Sequence, residues 1–427
     1  MLTVAGCQKN EANGNANGAG DIPGYNESAD QNKPSGVDDP SVSTEDYIIA
    51  TGKALIDEFD YTKWRADAEF VHKVVKAIQE KSRTANIDAL KEWAEDLGKI
   101  WEQDPIKEGN TTVYKTVVRL SDAKGHFEEQ ADGSFKKTDA NDLSITVNVD
   151  GEKVSATFSC TDSTVPVMIS GHYSSGYYDG TNPASAQANE TWVYLPTSAN
   201  LKILRGDAEF ASLALTATVD VKDPQSVSPY TDSANLSATL KISRYTVAIQ
   251  KLAYSPTGAN VAIKILADNN SLITANANAS YTLDQNAQGG LPVKSGSATA
   301  DIDVMGRIQV KASMPSYEAF MKALEQVQQA RDEQSVKTAA VAMEATFSAG
   351  MYFNGASTAR ATLGVQAMQN QYYSGGWYAD PVLRFSDGKS YSVDEYFTEE
   401  RFGELINYAR NWLDNIQHQL SDLFGDL

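Results

Sequence analysis

Asp142-Leu143-Ser144-Ile145-Thr146-Val147-Asn148-Val149-Asp150-Gly151 is the stretch that decides the fold class. Leu143, Ile145, Val147 and Val149 alternate with Ser144, Thr146 and Asn148, a period of two. That period places the apolar set on one face of a sheet and the polar set on the other. Asp150-Gly151 is a two-residue hairpin signal, because both positions of such a turn need positive φ. Residues 153–161 then read as the returning strand.

The same period runs outward from about 111 to 314. Leu213, Leu215, Ala217, Val219 and Val221 alternate with Ala214, Thr216, Thr218 and Asp220. Leu236, Ala238, Leu240 and Ile242 repeat the pattern, followed by Val247 and Ile249. Ala300, Ile302 and Val304 face Ile308, Val310 and Ala312 across Met305-Gly306-Arg307. One apolar face and one Ser/Thr/Asp face are what an antiparallel sheet with a single buried side requires. Small residues on the apolar face leave room for a helix to lie against it. No fixed-period repeat is present, which argues against a solenoid or propeller.

Helical spacing flanks this core. Ser43 or Thr44 can cap a first helix, with Glu45 and Asp46 in its opening turn. Apolar stripes follow at Ile48–Phe59, Phe70–Ile78 and Ile87–Trp101, and Asp104-Pro105 closes a helical region read over 44–110. Trp93 and Trp101 fall on one helical face and read as core. A central helix is expected over 316–332, two strands over 338–369 around Asn354-Gly355, and a hairpin over 385–391. A closing amphipathic helix over 394–424 is expected to dock on the sheet's apolar face. The expected fold is α+β: a large twisted antiparallel sheet domain over 111–427, with flanking N-terminal, central and C-terminal helices.

Net charge is -20, with 36 Lys+Arg against 56 Asp+Glu. So acidic a chain repels nucleic acid, and no nucleic-acid partner is expected. No run reaches the ~20 apolar residues that span a bilayer, so membrane contact is expected through an anchor. Val4-Ala5-Gly6-Cys7 resembles the lipobox of bacterial lipoproteins, in which an aliphatic and two small residues precede the acylated cysteine. The resemblance implies lipidation (palmitate among the acyl groups) on Cys7, residues 1–7 as the remnant of a signal peptide, and a place in the cell envelope. Six residues precede Cys7 and none is basic, a departure from a full signal peptide. Gln8 stands where an inner-membrane retention signal has Asp, which points to the outer membrane. Gln8-Lys9-Asn10-Glu11 is similar to export tags of Bacteroides-type surface lipoproteins. Residues 8–43, rich in Asn, Gly, Ala and Ser, read as a disordered tether. Loosely, the whole layout resembles envelope lipoproteins in which a sheet wraps helices around a lipid cavity.

Chemistry is sparse. His72, His126, His172 and His418 make no local metal pair, and Cys160, the other cysteine, sits in an alternating strand as a small inert hydrophobe. Neither a metal nor a cofactor is expected. Ser121-Asp122-Ala123-Lys124 matches S-x-x-K without its companion motifs and reads as a turn. Asp162-Ser163-Thr164 and Asp232-Ser233-Ala234 resemble O-glycosylation signals of the same bacteria and are expected in loops. Two aromatic loops remain. One carries Tyr173, Tyr177, Tyr178 and Trp192; the other Tyr372, Tyr373, Trp377 and Tyr378. Such rings offer flat apolar platforms with polar tips, or pin long loops to the sheet. The expected function is non-enzymatic binding of a lipid or a glycan. The alternatives are a subunit of a surface protein complex, with a protein partner on the aromatic loops, and a glycan hydrolase whose carboxylates assemble in space.

Overall fold

The computed structural model describes residues 26–84, 101–108, 111–174, 187–284, 293–369 and 376–425. The chain is α+β, with an open, almost wholly antiparallel sheet of eighteen strands and six helices among the described residues. The deciding stretch forms β5 (Leu143–Val149), which pairs with β6 (Glu152–Ser174) across Asp150 and Gly151, both at positive φ. β6 and β7 (Gln187–Arg205) are far longer than the usual strand of ~5–6 residues. From β7 the chain meanders through β8 (Ala208–Asp220), β9 (Ser233–Ile242), β10 (Tyr245–Ser255), β11 (Gly258–Ala267) and β12 (Asn270–Leu283). It continues as β13 (Val293–Val304) and β14 (Ile308–Met314), each strand antiparallel to the one before.

Two parallel pairings break the meander. β3 (Gly125–Glu129) lies beside β5, with β4 (Phe135–Thr138) as its outer neighbour. β2 (Thr111–Val118) runs parallel to the first half of β7 and carries β1 (Trp101–Glu108) on its far side. The helical region read over 44–110 is therefore corrected at its end. α1 (Thr44–Glu58) and α2 (Arg65–Thr84) are helical, whereas residues 101–108 are strand. Asp104-Pro105 sits inside that strand, opposite Lys115 and Tyr114 of β2. The stripe between 85 and 100 lies outside the described residues.

After β14 come α3 (Tyr317–Gln329) and α4 (Glu333–Glu344). Residues 338–344, expected as strand, are helix. Asp332 caps α4 by accepting from Ser335 N at 3.0 Å, and Val336, Ala339 and Ala340 form its buried side. β15 (Ser348–Phe353), β16 (Ala361–Gln369), β17 (Trp377–Phe385) and β18 (Ser390–Ser392) extend the sheet. β15 and β16 pair at only two positions before diverging. Glu344 enters the gap, accepting from Val365 N at 3.0 Å, while the Arg384 guanidinium beside it holds its carboxyl below the usual range.

α5 (Val393–Tyr396) leads into α6 (Glu399–Phe424). α6 does not dock directly on the sheet along its length as expected. That rim of the sheet is already covered by α1, whose Ala54, Leu55 and Phe59 pack with Ala267, Leu272 and Met305. The first half of α6 is a second layer over α1. Leu405 lies against Gly52, Arg401 pairs with Glu45 at 3.0 Å, and Trp412 Nε1 donates to Phe59 O at 3.2 Å.

The tether reading of 8–43 is corrected from residue 26 onward. Residues 30–42 form a strap across the two-residue turns Asp268-Asn269, Met305-Gly306 and Asn354-Gly355, all at positive φ. Ser271 N donates to Asp30 Oδ1, and Gly36 N to Asn354 O. Arg360 grips Asp38 through Nε and Nη2, at 2.5 and 3.0 Å, above the ring of Phe353. Gly306 has no room for a side chain: a Cβ there would fall 1.7 Å from Asn32 O. Low apolar content made this segment read as disordered, but its backbone and carboxylates find partners on the turns.

Candidate functional site

Register explains how a site forms on the sheet. One row of cross-strand partners runs Leu213, Leu240, Val247, Ile265, Ile273, Val304, Ile308, Phe353. Four residues further along the strands, five on β10 where a bulge follows Ile249, a second row runs Ala217, Leu236, Leu252, Val261, then Ala277, Ala300, Ala312, Ala349. Both rows lie on the same face, since alternate residues share a face. The first row is bulky, and its Ile265, Ile273, Val304 and Phe353 pack with α1 and Phe59 just after it. The second turns to alanine across β12–β15, under α3.

α3 presents Phe320, Leu324 and Val327 to this alanine floor, at helical spacing. Met343 and Phe347 close one end, and Leu363, Val365, Ala379 and Pro381 form the wall beyond the β15–β16 gap. Between them lies a cavity of about 690 Å³, within the ~300–1,000 Å³ range of ligand pockets. No ionisable side chain lines it. Asn278, Thr299, Ser313 and Ser348 border it, but the register turns this row to the opposite face, where Asn260 donates to Asn278. A site without acids, bases or directed donors can hold apolar matter and cannot transfer a proton.

The floor continues uncovered beyond the cavity. Leu252, Ile302, Val310 and Leu240 are 47%, 42%, 41% and 39% exposed, all on the apolar face. Exposed apolar side chains on one face of this kind point to an interaction surface.

The aromatic residues singled out in the sequence are dispersed. Tyr177, Tyr178, Tyr372 and Tyr373 lie outside the described residues, and Tyr173 pairs with Ala188 near the end of β6. The strands flanking both aromatic loops end at one rim, ten strand spacings apart, about 48 Å along the sheet. Trp192 is buried: its Nε1 donates to Glu190 at 2.8 Å and the Lys115 ammonium lies 4.1 Å above its ring. It presents no open platform. Tyr378 is exposed on the sheet's polar face, whereas Trp377 is half-buried on the apolar face with Lys337 5.7 Å away. Trp377 thus stands on the cavity's own face, two residues from Ala379.

Other marked residues serve the fold. Burial and the Asp162 carboxylate push the Cys160 thiol up to about 12, so it stays protonated. Asp162 also accepts from Ser121 N at 2.8 Å, and Ser163 accepts from Leu195 N at 3.0 Å, at an irregularity inside β6 rather than in a loop. Asp232 is buried and accepts from the backbone of Lys222 and Ser228, which holds its carboxyl low. His126 pairs with Asp142 at 2.7 Å, and His418 is exposed. Among the described residues no three His, Cys, Asp or Glu side chains converge as a metal set, and no helix is long and apolar enough to cross a membrane. Cys7 lies outside the described residues.

The sequence points to a space between sheet and helices but names none of the residues that line it. The cavity's signal is present: alanine at alternate positions of several successive strands, Ala275, Ala277 and Ala279, then Ala298 and Ala300. Compared with known proteins, the chain matches no family model, no curated protein and no solved structure.

Proposed function

We propose that this protein is an envelope lipoprotein, anchored through Cys7, that binds the acyl chain of a lipid between its sheet and α3. The cavity of about 690 Å³ with its alanine floor carries the reading. It is apolar on every side and opens onto a further apolar strip. The protein acts as a carrier or holder of lipid, not as an enzyme, because the cavity wall has no ionisable group. Each methylene removed from water contributes ~0.8 kcal/mol, and association costs at least ~4 kcal/mol. Long chains therefore bind and short ones do not.

Filling the floor tests this. Inserting bulk into a packed core costs ~1–3 kcal/mol, but Ala300→Trp enters empty space. The variant is expected to keep its melting temperature within a few degrees and to lose the fluorescent fatty acid bound beneath α3, so that the total bound falls. Undiminished binding by a folded Ala300→Trp protein would sink the proposal.

A further inference from the structure

A second apolar cavity, of about 520 Å³, lies at the other end of the same face. Its floor is Phe210, Ile242 and Tyr245, on β8–β10. Its roof is α2 and the second half of α6, with Trp64 and Trp412 among the lining. The polar atoms of these rings are turned away and satisfied. Trp64 Nε1 and Trp412 Nε1 each donate to Phe59 O at 3.2 Å, and Tyr245 OH donates to Glu58 O at 2.6 Å. Asp67 is the sole ionisable carboxylate on the lining. The space is thus as apolar as the first cavity, though walled by rings instead of alanines.

A row of apolar residues lies between the two cavities on β10. Val261 lines the first and pairs with Leu252 of β10; Tyr245, on the same strand and face, lines the second. Their partners on β11, Val261 and Ala267, are six residues apart, so the span from Leu252 to Tyr245 is about 20 Å at ~3.3 Å per residue. The residues facing the same way between them are Ile249 and Val247, with Leu240 alongside. Leu252 and Val247 remain 47% and 37% exposed, so the path is open to solvent from above.

We infer that the two cavities and the strip between them form one trough for a diacyl lipid, with one acyl chain in each cavity. The glycerol backbone lies over Leu252 and Val247, where the headgroup reaches water. This inference rests on the lipid-binding reading and adds the second chain. It explains why a single sheet face carries two separate roofs with bared apolar residues between them: two chains diverging from one backbone need two covered ends and one open middle.

Native mass spectrometry with palmitate and with dipalmitoyl phosphatidylglycerol separates the possibilities. The expected result is two palmitates per chain, or one diacyl lipid that displaces both. Ala68→Trp or Ile242→Trp, filling the second cavity, should lower palmitate to one per chain and weaken the diacyl lipid at least tenfold. In the Trp377→Phe protein, whose second cavity is unaltered, 9,10-dibromostearate should quench emission, and adding Trp64→Phe and Trp412→Phe should abolish that quenching. One palmitate per chain, lost in Ala300→Trp but kept in Ala68→Trp, would overturn the second chain while leaving the lipid-binding reading intact. Displacement of only one of two palmitates by the diacyl lipid would overturn the joined trough. No palmitate bound at all would overturn both readings.

Discussion

Ile273, Val304 and Ile308 make one cross-strand row, and Ala277, Ala300 and Ala312 make another four residues along the same three strands. The two regions share strands, face and apolar character. They differ in volume. At the first, side chains reach α1 and the space is filled, with Leu272 and Phe353 wholly buried. At the second, methyl groups stop short of α3 and a cavity remains. Hydrophobicity therefore selects which face a helix covers, and side-chain volume decides whether the covered space becomes core or binding site.

The contrast breaks most sharply at the packed row. Phe353 is fully buried, stacked on Tyr47 at 4.2 Å, so Phe353→Ala should cost ~3–5 kcal/mol. Urea denaturation measures this, and a loss below about 1 kcal/mol would place that row with the cavity. Next is the clamp beside it. Arg360 and Asp38 have side chains 11% and 19% exposed. Arg360→Met should cost about 3 kcal/mol, the low end for breaking a buried pair because this one sits at a rim. It should also speed proteolysis within residues 30–42, an effect that Phe353→Ala need not share at equal stability.

The cavity row is probed by ligand length. Binding free energy of saturated fatty acids should grow by ~0.8 kcal/mol per methylene, about fourfold in affinity, and then level off. Isothermal titration across chain lengths measures the slope; a flat series would deny an apolar trough. The smallest effect concerns Asp303, beneath the strap. Burial comes first among its influences and raises its carboxyl above the usual range, against hydrogen bonds from Gln309 and Gly306, with Asp301 and Asp30 raising it further. A raised carboxyl is favoured neutral in the fold. Its contribution is therefore present at acid pH and lost as pH rises from the ordinary carboxylate value through the raised one. Asp303→Asn should flatten stability in that window, by less than either core substitution; an unchanged pH profile would remove Asp303 from the strap's account.

Much of the fold is legible in the chain. β5 and its turn, β8, β9 and the β13–β14 hairpin follow from alternation alone, and α1, α3 and α6 from caps and stripes. α4 escapes because Thr338, Val341 and Thr346 suggest strand, while the cap Asp332 and the spacing of Val336, Ala339 and Ala340 mark a helix. β1 escapes because Asp-Pro reads as a helix stop, although an edge strand also tolerates proline. The strap escapes because its partners, among them the Asn270 side chain and the Ser271 backbone, are more than two hundred residues away in the chain, invisible to local composition.

For the site, the sequence by itself determined that one face of the sheet is apolar, that this face is rich in alanine, and that Cys7 stands in a lipobox-like setting. Alternation and spacing are local properties, and they survive without knowledge of neighbours. Only the tertiary structure decided that the alanines of separate strands align in one row beneath α3, that α6 stacks on α1 and bridges to the sheet across a second space, and that Trp192 is packed shut while Trp377 shares the cavity's face. Cavities are differences between volumes contributed by distant segments, so no stretch of sequence contains one.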